Sequence, residues 1–259
     1  MPHARPRGAC PVRAVLFDVD DTLIGTRAAM HAAGAAGAAH TWPWADPARV
    51  ALAGKRFRDD PGGFFTAYTR GELTFAAMRE ARIGDVARWL GVSPKEGDAG
   101  RFVAAYDQVF MRALRPHDDA RPCVEALRCA GIEVGLLTNS GEDYTAAKLA
   151  ATGLADLADV VCTRDTLGFG KPDPRAFHEA CRRLGVAPSE TAYVGDELGP
   201  DALGAHGAGL AAFWLVRDGV TEATALAEAA RHGIPVVANL GGVRPEVLWA
   251  EGPVTGVTD

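Results

Sequence analysis

The sequence has few cysteines, and they are not arranged as a disulfide framework or a zinc site. There are five in 259 residues, an odd number, and none forms a CxxC or CxxH pair. Disulfide scaffolds and structural zinc sites depend on recurring, closely spaced cysteines, so both classes are excluded. We therefore expect free thiols and a cytoplasmic location, because thiols stay reduced in that compartment. The cysteines are Cys10, Cys123, Cys129, Cys162 and Cys181.

Long apolar runs and blocks of basic residues are also missing. A transmembrane helix needs about 20 consecutive apolar residues, and no stretch approaches that length. Residues 1–11 carry positive charge, but no apolar segment follows them, so we interpret them as a disordered tail instead of a signal peptide. The net charge is -6 without a Lys/Arg cluster, which argues against a nucleic-acid partner. We expect a small-molecule ligand and no membrane association.

Short apolar runs typical of buried strands recur along the chain. From about residue 118 onward they alternate with helix-like segments, several of which end in glycine. Strands that alternate with helices predict an α/β fold with a parallel sheet covered by helices. The predicted strands are 14–17, 133–138, 159–163, 191–195, 211–216 and 235–239.

The interval between the first two predicted strands has a different character. Residues 23–115 contain Ala-rich and amphipathic segments without a convincing strand. The simplest interpretation is an all-helical subdomain inserted after the first strand. We therefore predict a core formed by residues 12–22 and 116–259, with the insertion at 23–115.

Polar side chains gather where the predicted strands end. The carboxyl ends of parallel strands face one crevice, so we expect these side chains to lie close together. Neighbouring carboxylates raise one another's pKa, so a cation should compensate them, and oxygen ligands of this kind suit Mg²⁺. The residues at this edge are Asp18, Asp20, Thr138, Asn139, Lys171, Asp196 and Asp201.

The four motifs that hold these residues resemble, in their order, those of the haloacid dehalogenase superfamily of phosphohydrolases. The family pattern is DxDxT, a strand ending in Ser/Thr, a Lys, and GDxxxxD; the chain has DVDDT, LLTNS, GKPDP and GDELGPD. The resemblance covers residues 12 to about 240, and the insertion resembles the helical cap of the phosphoglycolate-phosphatase-like branch. It implies a Rossmann-like core, a site in the cleft between core and cap, and Mg²⁺-dependent hydrolysis of a small phosphomonoester.

By this resemblance the acids have distinct roles. Asp18 would be the nucleophile that forms an aspartyl-phosphate. Asp20 would protonate the leaving alkoxide and then activate the hydrolytic water. Mg²⁺ would be held by Asp18, by Asp196 and by the backbone carbonyl of Asp20.

The resemblance also implies which residues bind the phosphoryl group. Thr138 and Lys171 would hold its oxygens, which matters because phosphoryl transfer depends on positioning and charge neutralisation. Asn139 is a further predicted substrate contact. Asp201 would orient Lys171 or a metal-bound water.

Three residues depart from the family pattern. Asp21 stands where many relatives carry Gly, and we expect it to cap a helix N-terminus. Pro200 replaces a frequent Asn, which leaves Asp196 as the metal ligand expected from this loop. Glu197 replaces a small polar residue and either contacts Mg²⁺ through water or is solvated.

The cap should select the substrate. We predict that Arg58 and Tyr68 bind it, by pairing with a second anion and by stacking on a ring. The alternative is that Phe64, Phe65 and Tyr68 form the cap's own core, the more usual place for aromatic side chains. Residues 34–40, GAAGAAH, lack GxGxxG spacing, and we expect them on an Ala-rich helix surface.

The resemblance leaves several functions open. Dehalogenases and phosphonate-cleaving members lack an acid at the position of Asp20, so its presence favours a phosphatase or a phosphomutase. The substrate could be a sugar phosphate, a nucleotide or a flavin mononucleotide. A receiver-like or non-catalytic phosphate-binding module is the rival from another class, although a receiver would need neither the insertion nor Asp20. We expect a monomer or a homodimer.

Overall fold

The computed structural model describes residues 12–219 and 221–248. The tail predicted for residues 1–11 lies outside the described residues. Within the described part, the chain forms two compact units. The first runs up to Ile24, continues over Pro116–Glu142 and resumes at Leu154, and the second comprises Gly25–Arg115 and Asp143–Gly153.

Six strands of the first unit form one sheet in the order β5-β4-β1-β6-β7-β8, and every neighbouring pair is parallel. The predicted α/β class, a parallel sheet flanked by helices, is confirmed. A separate pair, β2-β3, forms a two-stranded sheet. The strands are β1 Ala14–Phe17, β2 Ile24–Gly25, β3 Arg115–Pro116, β4 Glu133–Thr138, β5 Val160–Thr163, β6 Thr191–Gly195, β7 Ala211–Leu215 and β8 Val236–Val237.

The register of the sheet places the site. Strand β1 lies between β4 and β6, with Phe17 opposite Leu136 on one side and Val194 on the other. All four β1 residues are buried, as expected for an apolar run in the middle of a parallel sheet. The residues that follow β1, β4 and β6 therefore emerge side by side at one edge.

Local sequence signals set the bounds of the helices, as the helix at Pro174–Leu184 shows. The Asp173 carboxylate accepts a hydrogen bond from the Arg175 N–H, Pro174 occupies the first turn, and Gly185 ends the helix at φ 69°. The helices are α1 Arg27–Thr41, α2 Pro47–Asp59, α3 Phe64–Thr69, α4 Phe75–Leu90, α5 Asp98–Ala113, α6 Ala120–Cys129, α7 Glu142–Ala151, α8 Arg164–Leu167, α9 Pro174–Leu184, α10 Gly204–Gly207, α11 Ala223–Arg231 and α12 Pro245–Leu248.

Three further turns have tighter or wider helical geometry. A π-helical turn, Leu198–Leu203, follows β6 and is the one that bears on the site. The other two are 3₁₀ turns at Pro188–Glu190 and Leu240–Gly242. Within the described ranges, no helix is both long and apolar enough to cross a membrane.

The second unit is built from helices α1 to α5 together with α7. Helix α1 approaches two neighbours closely through glycine: a Cβ on Gly34 would lie 2.5 Å from the Gly54 Cα of α2, and one on Gly37 would lie 3.0 Å from the Phe102 ring of α5. The expectation that residues 34–40 form a helix surface is therefore wrong for Gly34, Gly37 and Ala38, which are buried. Their small size allows the helix backbones to meet.

Aromatic contacts explain why α7 packs with the second unit. The Tyr144 ring stacks on Phe110 at a centroid distance of 5.6 Å and lies 5.9 Å from Phe75. Its hydroxyl donates to Asp107 at 3.2 Å. The core predicted at 116–259 includes this segment, whereas packing groups Asp143–Gly153 with the helical unit.

Asp21 does not cap a helix. Its backbone is left-handed at φ 56°, and its N–H donates to the Ile24 carbonyl at 2.7 Å. Helix α1 begins only at Arg27. The predicted capping role is wrong because a tight turn and strand β2 separate Asp21 from the helix.

Candidate active site

Asp18 lies at the carboxyl end of the central strand and is buried, with 6% of its surface exposed. Its backbone N–H donates to the Val194 carbonyl at 2.9 Å, which extends the pairing with β6 by one residue. Burial raises the pKa of Asp18 to about 8, because the opposing effect of Lys171 is smaller and Asp201 and Asp20 add negative charge. The carboxylate therefore lies in a site that needs more positive charge than Lys171 supplies.

Lys171 is the buried cation of the site. Its Nζ atom donates to Asp18 Oδ1 at 2.6 Å, to Asp201 Oδ1 at 2.6 Å and to the Tyr193 hydroxyl at 2.7 Å. Burial by itself would lower the pKa of Lys171, but the two carboxylates outweigh it and hold the pKa above its usual value. The ammonium is therefore charged and bridges two strand ends.

Asp201 is positioned by the π-helical turn after β6. Its Oδ1 atom accepts from Lys171, and its Oδ2 atom accepts from the Glu197 N–H at 3.0 Å. A Cβ on Gly195 would lie 2.3 Å from Asp201 Oδ2, so only glycine fits at that position. The predicted contact between Asp201 and Lys171 is thus present in the structure.

Asp196 follows β6 and completes an acidic cluster. Burial, followed by the charges of Asp18 and Asp201, raises its pKa to about 9. Its backbone carbonyl accepts a hydrogen bond from Trp214 Nε1 at 2.9 Å, which fixes the loop. Ligand oxygens of Asp18, Asp196 and Asp201 lie within 4.8 Å of one another.

The acidic cluster fits a hard divalent cation. Its donors are carboxylate oxygens, which Mg²⁺ prefers, and two of the acids have raised pKa values that an added positive charge would lower. Both oxygens of Asp201 are already engaged, by Lys171 and by the Glu197 N–H. Asp18 and Asp196 are therefore the side chains best placed to hold the metal.

Thr138 and Asn139 lie at the same edge, at the end of β4. Both are buried, and the Thr138 hydroxyl accepts from the Ser140 N–H at 3.1 Å. The Asn139 side chain hydrogen-bonds the backbone of Lys171. In this structure it therefore holds the lysine loop, residues 168–173 between α8 and α9. Its predicted contact with substrate stays a prediction.

Asp20 lies two residues beyond Asp18 in the turn that follows β1. It forms an isolated parallel bridge with Ile24 and is half-buried, more exposed than Asp18. This places it on the same loop as the predicted nucleophile. Glu197 is exposed, and its N–H hydrogen-bonds Asp201.

The two predicted cap residues lie in the helical unit. Tyr68 is 3% exposed, and its ring packs between Phe65 and Phe75 at centroid distances of 5.9 and 5.7 Å. Arg58 pairs with the Asp59 carboxylate at 2.7 Å. The ring of Tyr68 therefore belongs to the core of the helical unit, which supports the alternative interpretation of these aromatic residues.

Two residues of the site are missing from the sequence-based prediction. Tyr193 contacts Lys171, and Trp214 holds the carbonyl of Asp196. A signal for both was available, because a Tyr or Trp in a buried apolar strand needs a partner for its polar atom. The sequence does not show which partner that is.

A parallel sheet with an acidic, lysine-bridged cluster at its carboxyl edge defines an α/β enzyme with a site of the kind that binds a metal and an anion. Residues 12–209 match the family model of the haloacid dehalogenase-like hydrolases. The chain belongs to this family. The predicted family is confirmed, and so is the prediction that the chain is a hydrolase.

Curated relatives and solved structures agree with this assignment. The chain is 30% identical over 208 residues to a glyceraldehyde 3-phosphate phosphatase of Methanopyrus kandleri, covering 77% of this chain and 82% of the relative. It is 32% identical over 206 residues to a ribulose-1,5-bisphosphate 5-phosphatase of Halopiger xanaduensis, covering 76% and 82%. The HAD-hydrolase YfnB of Bacillus subtilis has the same fold, with a TM-score of 0.73, 20% identity, and 92% and 99% of the chains covered.

Proposed function

We propose that the protein is a Mg²⁺-dependent phosphatase that hydrolyses a small phosphomonoester through an aspartyl-phosphate on Asp18. The observation that carries this proposal is the placement of the Lys171 ammonium between Asp18 and Asp201, with Asp196 beside them. The phosphatase activities of the curated relatives support it.

Asp18 is the proposed nucleophile because it ends the central strand and contacts the cation of the site. One of its carboxylate oxygens forms a bond to phosphorus while the bond from phosphorus to the leaving oxygen breaks. The Lys171 Nζ atom lies 2.6 Å from Asp18 Oδ1. From there its positive charge stabilises the negative charge that develops on the phosphoryl oxygens. When bound by Asp18, Asp196 and the Asp20 carbonyl, Mg²⁺ would supply the further positive charge that this cluster lacks.

Asp20 is the proposed acid and base. Its carboxyl proton moves to the leaving alkoxide in the first step, and its carboxylate then takes a proton from the water that attacks phosphorus and releases phosphate from Asp18. Its half-buried position allows contact with both water and a leaving group. Thr138 is the second proposed ligand of the phosphoryl oxygens.

The nucleophile is tested by Asp18→Asn with Asp21→Asn as the matched control. Both changes replace a carboxyl group in the segment around the end of β1 with an amide, and Asn tolerates the left-handed backbone of position 21. We expect no measurable turnover for Asp18→Asn and turnover close to wild type for Asp21→Asn. Wild-type turnover by Asp18→Asn would refute the nucleophile assignment.

The reaction is tested by phosphate release with Mg²⁺ and with EDTA. The panel should hold glyceraldehyde 3-phosphate, ribulose 1,5-bisphosphate, phosphoglycolate, nucleotides and flavin mononucleotide. We expect metal-dependent release from one class of ester. Transfer of phosphate within a sugar phosphate, without release, would identify a phosphomutase instead.

Further properties belong to the same proposal. We propose a catalytic core at 12–22 and 116–259, a cap at 23–115 with Arg58 as a substrate contact, and a cytoplasmic monomer or homodimer. The buried Tyr68 packs in the core of the helical unit and is not proposed to contact substrate. The cytoplasmic location is supported by the four free cysteines of the described residues. Size-exclusion chromatography with light scattering tests the oligomeric state.

A further inference from the structure

The hydroxyl of Tyr193 lies among three buried polar atoms. It is 2.7 Å from Lys171 Nζ, 3.0 Å from the Leu137 carbonyl oxygen and 3.2 Å from Asp201 Oδ1. Tyr193 itself is fully buried in β6. One hydroxyl therefore connects the end of β4, the lysine loop and the turn after β6.

The chemistry of the partners fixes the direction of each hydrogen bond. Lys171 carries an ammonium, which only donates, so the Tyr193 oxygen accepts from it. The Leu137 carbonyl only accepts, and it is nearer than Asp201 Oδ1, so the Tyr193 hydroxyl donates its proton to Leu137. The Tyr193 hydroxyl thus accepts from the Lys171 ammonium and donates to the β4 backbone.

These contacts determine where the ammonium of Lys171 points. An ammonium has three N–H bonds in tetrahedral directions, so two that are held define the third. Tyr193 and Asp201 hold two of them, and the third points at Asp18 Oδ1. On the proposed mechanism, the Asp18 carboxylate receives the phosphoryl group.

We infer that Tyr193 is a positioning residue that aims the Lys171 ammonium at Asp18 and at the phosphoryl group bound there. This inference rests on the proposed function for its catalytic consequence and on geometry alone for its structural part. Tyr193 itself touches neither substrate nor metal in this role. It acts through Lys171.

The ring of Tyr193 is fixed independently of its hydroxyl. Phe177 meets it edge to face at a centroid distance of 5.2 Å and an interplanar angle of 78°. Phenylalanine retains the ring and both of its contacts, the one with Phe177 and the one with Lys171 Nζ at 5.3 Å from the ring centroid, so Tyr193→Phe should keep the packing and remove only the hydroxyl. The Lys171 ammonium then loses one acceptor and can turn away from Asp18.

The first test is the activity of Tyr193→Phe, with Tyr106→Phe as the matched control. Tyr106 is also buried, but it lies in α5 of the helical unit. We expect kcat to fall by about 10- to 100-fold for Tyr193→Phe, with KM changed by less than about threefold. The reason is that a wrongly oriented ammonium stabilises the transition state less, while substrate binding depends less on its exact orientation. Tyr106→Phe should keep the wild-type kcat. A wild-type kcat for Tyr193→Phe would overturn the inference.

A double-mutant cycle separates positioning from general loss of packing. In a Lys171→Met background the Tyr193 hydroxyl has no ammonium to orient. The further change Tyr193→Phe should therefore alter kcat by less than about twofold. An equal fold-loss with and without Lys171 would mean that Tyr193 acts independently, and the inference would be wrong.

The second test reads the lysine directly and needs no activity. An ammonium that is buried and held by three hydrogen bonds exchanges slowly with water, so Lys171 should give an observable ¹⁵Nζ signal, assigned by its loss in Lys171→Arg. We expect Tyr193→Phe to broaden or remove this signal and Tyr106→Phe to leave it. An unchanged signal in Tyr193→Phe would contradict the inference even if the wild-type protein released no phosphate, an outcome that would refute the proposed function separately.

A second variant keeps the inference testable if Tyr193→Phe does not fold. Phe177→Leu leaves the Tyr193 hydroxyl in place but removes the edge contact that orients its ring. We expect a smaller loss of kcat, about 3- to 10-fold, with a broadened Lys171 signal. Wild-type values for both would count against the positioning role.

Discussion

Asn139 holds the backbone of Lys171 on both sides of the residue. Its Oδ1 atom accepts the Lys171 N–H at 2.7 Å, and its Nδ2 atom donates to the Lys171 carbonyl at 2.9 Å. A Cβ on Gly170 would lie 2.5 Å from Asn139 Oδ1, so the preceding residue must be small. The end of β4 therefore determines where the lysine loop begins.

Removal of this amide should affect activity and stability together. Asn139→Ala leaves the buried N–H and carbonyl of Lys171 without partners, which costs about 1–3 kcal/mol of unfolding free energy, and we expect kcat to fall at least about 10-fold. Ser140→Ala is the control, because Ser140 hydrogen-bonds Thr138 through its backbone. Chemical denaturation and steady-state kinetics measure both effects. A variant as stable and active as wild type would show that the amide is dispensable.

The last position of β6, Gly195, should not tolerate a side chain. In Gly195→Ala the new Cβ would displace the Asp201 carboxylate and with it the ion pair to Lys171. We expect a loss of about 1–3 kcal/mol in unfolding free energy and a strong loss of kcat. Gly199 lies in the π-helical turn that follows β6, with no atom within 4 Å of an added Cβ, so Gly199→Ala should behave as wild type. Equal behaviour of the two variants would contradict this account of the loop.

The raised pKa values of Asp18 and Asp196, about 8 and about 9, predict how stability depends on pH and metal. Both acids stay protonated in the folded protein at pH values where the unfolded chain, with ordinary pKa values near 3.8, has lost those protons. In EDTA, the unfolding free energy should therefore fall as pH rises from about 4 to about 9.

Magnesium should remove this dependence, because binding favours the ionised carboxylates. The stabilisation by saturating Mg²⁺ should accordingly be larger at pH 8.5 than at pH 6. Urea unfolding at both pH values, with EDTA or Mg²⁺, measures it, and Asp18→Asn should flatten the slope in EDTA. A stabilisation by Mg²⁺ that is the same at both pH values would refute the coupling.

A second ion pair supports the loop that carries the site acids. Arg217 binds both carboxylate oxygens of Asp119 at 2.9 Å and also donates to the Thr22 carbonyl at 2.7 Å. Burial pushes the pKa of Asp119 up, but the hydrogen bonds from Arg217 and from the Leu240 N–H outweigh it, so the pKa is lowered. The pair therefore stabilises the fold above the ordinary pKa of 3.8, and this contribution is lost as pH falls below it.

Asp119→Asn should cost about 1–3 kcal/mol of unfolding free energy at pH 7, and the difference from wild type should shrink below about pH 4. The neighbouring Asp118 is exposed, and the hydrogen bonds of Arg217 go to Asp119, so Asp118→Asn is the matched control with little expected effect. Denaturation curves at pH 7 and at pH 3.5 check both variants. A difference as large at pH 3.5 as at pH 7 would point to packing as its cause.

Much of the sheet could be predicted because its signals are local. An apolar run such as 14–17 indicates a buried strand wherever it lies, and Asp173, Pro174 and Gly185 mark the two ends of α9. The four motifs could be recognised in their order for the same reason, because each is a short contiguous stretch of the sequence. Asp21 shows the limit, since a local preference for capping was overridden by the turn that joins β1 to β2.

The sequence by itself determined the α/β class, the family, and which acids and which lysine stand at strand ends. Only the tertiary structure decided the partners of those side chains: Lys171 and Asp18 are 153 positions apart, and Asn139 and Lys171 are 32 apart. The same holds for Tyr193, for the buried glycines of α1 and for Tyr144 of α7. Burial and backbone propensity depend on near neighbours in the chain, whereas a hydrogen bond in the core depends on packing between distant segments, which no local pattern encodes.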